Sequence, residues 1–486
     1  MSDRHHQEPP VATRIPTIGL VFWLSLLSCA GTAWAGPLTL QQTVRYAMSH
    51  NATIAAKQAV LAQDESTYTR QRAALFPPLT ASLQNQMEKQ SNYAGSLAQY
   101  GVNPIPNFSL NTAQVGTQWT LYNGSLNQIL AKQDQRQVEA ARADLRQTQT
   151  QTTQRLVAMF FAIANSQHLY NLAAANLIYQ QALFAVAAAK EKAGMAAGVD
   201  VLRAEVGVQQ TQVALLNAQS DTETAQESLA QTIGAAIDTQ FAIPEKLPQP
   251  PLPAGTRPAL IAIAEQNRPE IAEAAAEVAV AQLSRSSIDT DLLPQVNVFA
   301  AFGNQTSPTG FVDQQNQITA LNAECAPHPN QIECIGFPFS NVVRGTPGFW
   351  DIGATSTISL PIVDYGTRAA AHHSANQVID SAQIALDSAK TEAEADVSES
   401  LRSAQTAREA LTYQQRAVDL GAEAARIAQL QYKNGLLSLT DTKASQATSL
   451  QAQAEFFSAE IAYINAVVKL RSALGTFDPI ATVADL

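Results

Sequence analysis

Cysteine is scarce: there are three in 486 residues, and Cys29 lies in an apolar N-terminal stretch. A disulfide framework or a thiolate metal centre therefore does not organise the chain. Basic residues are outnumbered, 30 against 41 acidic ones, for a formal net charge of −11. That balance argues against a nucleic acid or an anionic lipid surface as partner. Only five methionines occur, too few to line a path for soft metal ions. Beyond residue 35 no apolar run reaches about 18 residues, the minimum for a membrane helix, so membrane entry is expected only through strands. A glycine-rich phosphate loop, a helical His-Glu metal pair and a nucleophile beside a base are all missing. An enzyme is not expected, nor a cofactor or a resident metal.

The most telling absence is proline. The chain has 23 prolines, yet residues 107–243 and 362–478 contain none. Stretches that long, rich in Ala, Gln, Ser, Leu and Glu, predict helices far longer than a globular core accommodates. The second stretch is interrupted at Gly435, which follows Asn434 and suits the left-handed conformation that ends a helix; Thr440 and Asp441 are residue types that cap the next. A helical hairpin is expected, with a long arm over 367–434 and a returning arm over 441–474. The first stretch repeats the design, with a long arm over 126–193, Gly194 at the tip, and Asp200 opening a returning arm over 199–233. Gly234 closes this hairpin as Gly475 closes the other, and both glycine pairs are offset by about 241 residues, which marks an internal duplication. At about 1.5 Å per residue, a long arm of about 68 residues extends about 100 Å, and two elements of about 35 residues laid end to end match it.

Residues 1–35 read as a secretory signal peptide, with Arg4 and Arg14, an apolar core over 18–30, and Ala33-Trp34-Ala35 ahead of Gly36 for cleavage. Acylation of Cys29, after Leu26-Leu27-Ser28, is the alternative. The remainder divides into a first repeat (36–234), a proline-rich surface linker (235–258), a second repeat (259–475) and a short tail (476–486). Each repeat opens with a helix, over 38–74 and 259–291, stopped by Phe76-Pro77-Pro78 and by Leu293-Pro294. Two segments of strict alternation follow in each, 79–87 and 113–121, then 296–302 and 352–360. Apolar residues fall on one side and Gln, Asn, Thr, Ser or Gly on the other, as in a membrane strand with a lipid face and a wet face. The loops between them, 88–112 and 303–351, are polar. The second holds Cys325 and Cys334, which in an exported protein most simply form a local disulfide. His328 between them leaves a metal reading open, without a fourth ligand. His372 and His373 point to different faces of one helix and read as a solvated helix start.

Four strands cannot close a membrane barrel, and an open edge in lipid leaves backbone groups unpaired. Several copies of the chain are therefore expected to close a ring, and the sequence leaves open whether two, three or four do so.

The order of helix, proline, two strands, long helix, glycine turn and return helix, present twice behind a leader, resembles the TolC-like outer membrane efflux protein family. It is carried by Leu38-Thr39-Leu40, by Phe76-Pro77 and Leu293-Pro294, by Tyr122-Asn123-Gly124 matched with Asp364-Tyr365-Gly366, and by Gly194 with Asp200 and Gly435 with Asp441. The resemblance implies a fold of mixed α and transmembrane β. The family's form is a homotrimer whose twelve-stranded outer-membrane β-barrel, four strands per chain, continues as a long α-helical barrel across the periplasm. It also implies a periplasmic adaptor (membrane fusion) protein and an inner-membrane pump of RND, MFS or ABC type as partners, outer-membrane lipid around the strands, and no nucleic acid. The implied function is the outer membrane channel of a tripartite export system for small toxic compounds or drugs. A type I protein-secretion conduit and a non-conducting structural or adhesive trimer are the alternatives. Finally, the resemblance implies a gate at the periplasmic aperture. Asp441 matches the first aspartate of its ring, and Ala444 stands where the second belongs. Tyr432 matches the gate tyrosine and Asp200 its acidic partner, while Leu437 stands in place of a gate arginine. Three converging Asp441 carboxylates would raise one another's pKa and attract cations.

Overall fold

The computed structural model describes residues 36–89, 107–244, 246–306 and 348–479. The leader, including Cys29, and the pair Cys325 and Cys334 lie outside the described residues. Helices α1 (Leu40–His50) and α2 (Ala52–Ala73) lead into strands β1 (Thr80–Lys89) and β2 (Asn107–Asn123), followed by the first hairpin, α3 (Leu126–Lys192) and α4 (Gly198–Ile233). After the linker come α5 (Arg257–Asn267), α6 (Pro269–Ser286), a 3-10 turn (Thr290–Leu292), β3 (Gln295–Thr306) and β4 (Gly348–Thr357). The second hairpin is α7 (Thr367–Lys433) and α8 (Leu439–Ala473). Each long helix has 67 residues.

Both tips close in the same way. Gly194 (φ 72°) and Gly435 (φ 75°) are left-handed. The amide of Met195 donates to the Lys190 carbonyl and that of Leu436 to the Gln431 carbonyl, each at 2.8 Å. A residue with a Cβ is disfavoured at that turn, and the crossed hydrogen bonds use carbonyls that a helix end otherwise leaves unpaired.

The helices ahead of the strands are not the single elements expected. Residues 38–74 break at Asn51, whose Oδ1 accepts from the amides of Thr53 (2.9 Å) and Ile54 (3.2 Å) while Nδ2 donates to the Thr232 carbonyl at 2.9 Å. Residues 259–291 break at Pro269, which has no amide to donate and sits in the first turn of α6. Nor is the proline-rich segment a surface spacer. Leu38 bridges Phe241 in parallel, the Tyr463 hydroxyl donates to the Pro250 carbonyl at 2.7 Å, and Phe241 and Leu247 are buried. They join Val44, Leu156, Phe160, Ile233 and Ile464 in a core at mid-height that ties α1, α3, α4 and α8 together. Extended proline-rich backbone keeps its carbonyls free to accept such bonds.

The sheet is antiparallel in the order β1-β2-β3-β4. Val115 stands opposite Phe302, which stands opposite Trp350, and Leu83 stands opposite Ala113. That face is bare: Leu83 is 90 % and Trp350 76 % exposed. β2 begins at Asn107 and β4 at Gly348, inside segments expected to be loop, because their backbones find ladder partners on β1 and β3. β4 ends at Thr357, not residue 360, because its partner strand begins at Gln295 and offers nothing beyond. α3 has no unbroken apolar run of 18 residues, although one 18-residue window of it has a mean hydropathy of 1.4. The helix itself, at about 100 Å, is far longer than a bilayer core.

At each strand-to-helix junction a short polar side chain caps the long helix. Asn123 accepts from the Asn127 amide at 3.3 Å and Asp364 from the Arg368 amide at 3.4 Å. Two left-handed residues follow each cap, Gly124 (φ 65°) and Ser125 (φ 67°), then Tyr365 (φ 51°) and Gly366 (φ 82°). The counterpart of Gly124 is thus Tyr365, one residue before the glycine with which the sequence motifs pair it. Tyr365→Gly is expected to raise the thermal midpoint of the purified protein, through a gain of about 1 kcal/mol from relieved backbone strain. Asn51→Ala is expected to lower it, at a cost of about 1–2 kcal/mol.

Candidate gate at the hairpin tips

The tip residues singled out in the sequence fall into two groups. In the first, Ser438 caps α8: its Oγ accepts from the Asp441 amide at 3.1 Å and donates to Asp441 Oδ2 at 2.6 Å. Asp441 is therefore a first-turn residue and not the cap expected, and its carboxylate is favoured there by the positive helix end. Asp200 holds the same place in α4, whose cap position, Ala197, has no side chain to offer. Asp200 instead pairs with Arg203 at 3.5 Å. Asp441 is exposed and its hydrogen bonds stay within its own turn.

The second group surrounds Tyr432, which is only 5 % exposed and packs into a cluster with Leu183, Ala187, Ala204 and Leu439. All four helices meet there. The Tyr432 hydroxyl is buried without a hydrogen-bond partner among the described residues. Burial, and then the Asp200 carboxylate, hold its phenol above the usual tyrosine range. The structure thus brings Tyr432 and Asp200 within electrostatic reach but does not join them, and it leaves Asp441 apart from both.

Two lysines that sequence reasoning passed over make the cross-links. Lys190, near the end of α3, donates to the Tyr432 carbonyl and lies over the Tyr432 ring, 4.1 Å from its centroid. Lys443 of α8 donates to the Arg203 carbonyl of α4 at 2.8 Å. Gly207 makes room for it, since a Cβ there would meet Lys443 Nζ at 2.5 Å. Burial pushes Lys443 below the usual lysine range. Each hairpin therefore sends one ammonium to a backbone carbonyl of the other. A glycine inside a helix pattern needs a packing reason, and Gly207 was the available signal; nothing comparable marks Lys190. Away from the tips, His372 binds Asp289 at 3.0 Å, as does Arg368 at 3.2 Å, so His372 is held in a polar cluster.

Residues 44–235 and 260–476 match the outer membrane efflux protein family. The chain belongs to that family. No curated protein matches the sequence. Among solved structures, the CmeC outer membrane channel of Campylobacter jejuni superposes with a TM-score of 0.71 at 15% identity, over 92% of this chain and 88% of that one. The outer membrane protein VceC of Vibrio cholerae gives 0.69 at 16% identity over 90% and 96%. The open state of the MtrE channel of Neisseria gonorrhoeae gives 0.66 at 19% identity over 90% and 88%. At these identities the likeness is one of fold. Membership makes the protein an outer membrane efflux channel and not an enzyme.

Replacing Lys190 or Lys443 with Met is expected to loosen the tips. Amide hydrogen exchange in the turns at 195–200 and 436–441 is expected to quicken about tenfold, the equivalent of one charge-assisted hydrogen bond, while exchange at the mid-height core stays unchanged.

Proposed function

We propose that this protein is the outer membrane channel of a tripartite export system, passing small toxic compounds or drugs from an inner-membrane pump and a periplasmic adaptor to the exterior. The observation that carries the reading is the sheet, which among the described residues has four strands, one bare apolar face and two free edges, mounted on helices about 100 Å long. In lipid those edges must pair, and three copies supply the twelve strands of the family's barrel. The polar face of the sheet, with Gln84, Gln114, Gln118 and Asn297, then lines the wet interior. The two repeats, 36–234 and 259–475, supply equal halves of the wall of each chain.

The tips form the periplasmic aperture on this reading. Tyr432, Asp200 and the two cross-linking lysines hold the hairpins of one chain together, and Asp441 from each copy faces the opening. Carboxylates converging there repel one another and recruit cations. Reconstituted in planar bilayers, the purified protein is expected to conduct ions with a small resting conductance; no conductance from an intact oligomer would favour the structural, non-conducting alternative. Asp441→Ala is expected to weaken block by multivalent cations added on the tip side at least severalfold, and unchanged block would remove Asp441 from the pore. Capture from native membranes in mild detergent separates the export classes. A proton-driven pump retained with an adaptor supports small-molecule efflux, and an ATP-driven transporter supports protein secretion.

A further inference from the structure

Three helix ends meet at mid-height. α1 gives way to α2 at Asn51, α5 gives way to α6 between Asn267 and Pro269, and α8 ends just ahead of Gly475 (φ 67°). A Cβ on Gly475 would meet the carbonyl carbon of Asn267 at 2.5 Å and the amide nitrogen of Arg268 at 2.7 Å, so the end of α8 lies directly on the α5–α6 break. Both the left-handed backbone and that close approach call for glycine. α3 runs past these breaks without one of its own. Continuous helices fill the space between them with interlocking ridges of side chains. Where three helices stop beside one that continues, the ridges stop too, and a cavity of about 570 Å³ is left between α1, α2, α3, the α5–α6 break and the end of α8. That is the size of a small-ligand site.

The lining is chemically uneven. Phe477 is buried in the mid-height core and Met48 packs against it, so the apolar part of the lining belongs to the protein's own packing. The rest is chiefly neutral and polar, with the amides of Gln58, Gln147, Gln151 and Asn267 beside the hydroxyls of Ser472 and Thr476. Two charged side chains among them have hydrogen-bonding capacity to spare. Arg146 makes no hydrogen bond or ion pair among the described residues. Glu270 lies 3.5 Å from Arg268, but that guanidinium is committed to Asp396 at 2.8 Å, and Glu270 Oε2 is buried with no hydrogen-bond partner among the described residues. Asp478, the other acid of the lining, already has a partner. A buried carboxylate oxygen without a donor is costly, and a guanidinium has five N–H groups to give.

A ligand that satisfies this lining brings an N–H donor for Glu270, an anionic acceptor for Arg146, and a body that both donates to and accepts from side-chain amides. Peptide groups hydrogen-bond in both senses, and a free peptide has an ammonium at one end and a carboxylate at the other. A simple anion leaves Glu270 unsatisfied, a simple cation leaves Arg146 so, and an apolar compound strands the amides. We infer that the mid-height cavity is a binding site for a short peptide with free ends, whose carboxylate pairs with Arg146 and whose ammonium pairs with Glu270. Gln58, Arg146 and Gln151 come from the first repeat and Asn267, Glu270 and Ser472 from the second, so a bound peptide ties the repeats together where their helices break. Binding there is a property of the folded chain and does not depend on the export role.

Trialanine is the probe, titrated into the purified full-length protein and followed by saturation-transfer NMR, with the melting transition of every variant recorded in parallel. The parent protein is expected to bind it and to melt at a higher temperature in its presence. Arg146→Gln is expected to bind at least about tenfold more weakly, for the loss of one charge-assisted pair, and Arg146→Lys to keep part of the affinity. Trialanine amide, which lacks the carboxylate, is expected to bind the parent as weakly as trialanine binds Arg146→Gln, and to lose nothing further in that variant. N-acetyl-trialanine and Glu270→Gln stand in the same relation for the ammonium. The site is overturned if a parent protein with its native melting transition shows no saturable binding. Equal binding of the free, amidated and acetylated peptides also overturns it, since the two charges then recognise nothing. A chain shortened to end at Pro479 that binds trialanine where the full-length chain does not would show residues 480–486 to be the occupant, and would overturn the external ligand.

Discussion

An open strand edge leaves backbone donors and acceptors without partners, and in the barrel proposed here that constraint governs the rest of the molecule. Among the described residues one chain has four strands, with edges at β1 and β4. Because α2 feeds β1, and β4 feeds α7, the open edges of the sheet continue downward as helical flanks. A solid bundle would bury those flanks within one chain. Here each helix makes its principal contacts with neighbours on its two sides, and the chain forms a wall.

A wall lacks the deep core that stabilises a globular domain, so stability is concentrated in a few places. The mid-height cluster around Phe160, Phe161 and Ile464 recruits the proline-rich segment through Phe241 and Leu247. Below it, small residues let the hairpin helices approach closely, and the larger apolar side chains of α4 and α7 stay exposed. At the tips, Lys190 and Lys443 reach carbonyls of the opposite hairpin. A hydrogen bond from an ammonium group to a backbone carbonyl is charge-assisted and stronger than one between neutral groups. Two such bonds are therefore the strongest ties between the hairpins at their far end.

The tip region departs from the pattern the resemblance implied. Leu437 occupies the place of a gate arginine, and the Tyr432 hydroxyl has no hydrogen-bond partner within the described chain. The ring and carbonyl of Tyr432, not its hydroxyl, are what Lys190 engages. A tyrosine held through its ring and backbone still positions the end of α7, and Ser438 then sets the orientation of Asp441.

The long helices, the left-handed turns at Gly194 and Gly435, and the alternating strands were all legible in the sequence, because each is set by local backbone chemistry: the absence of proline, a glycine at a helix end, a period of two. Pro269 and Asn51 carry equally local signals for the helix breaks, set within apolar patterns that run on past them. The lysine cross-links, the burial of Phe241 and Leu247 and the end of β4 at Thr357 were not legible, since each depends on which distant segment lies opposite. Sequence determined the kinds of element and their lengths, through interactions between residues a few positions apart. Tertiary structure alone decided their lateral order, and with it which faces were left uncovered, because side-by-side packing is set by contacts between residues far apart in the chain.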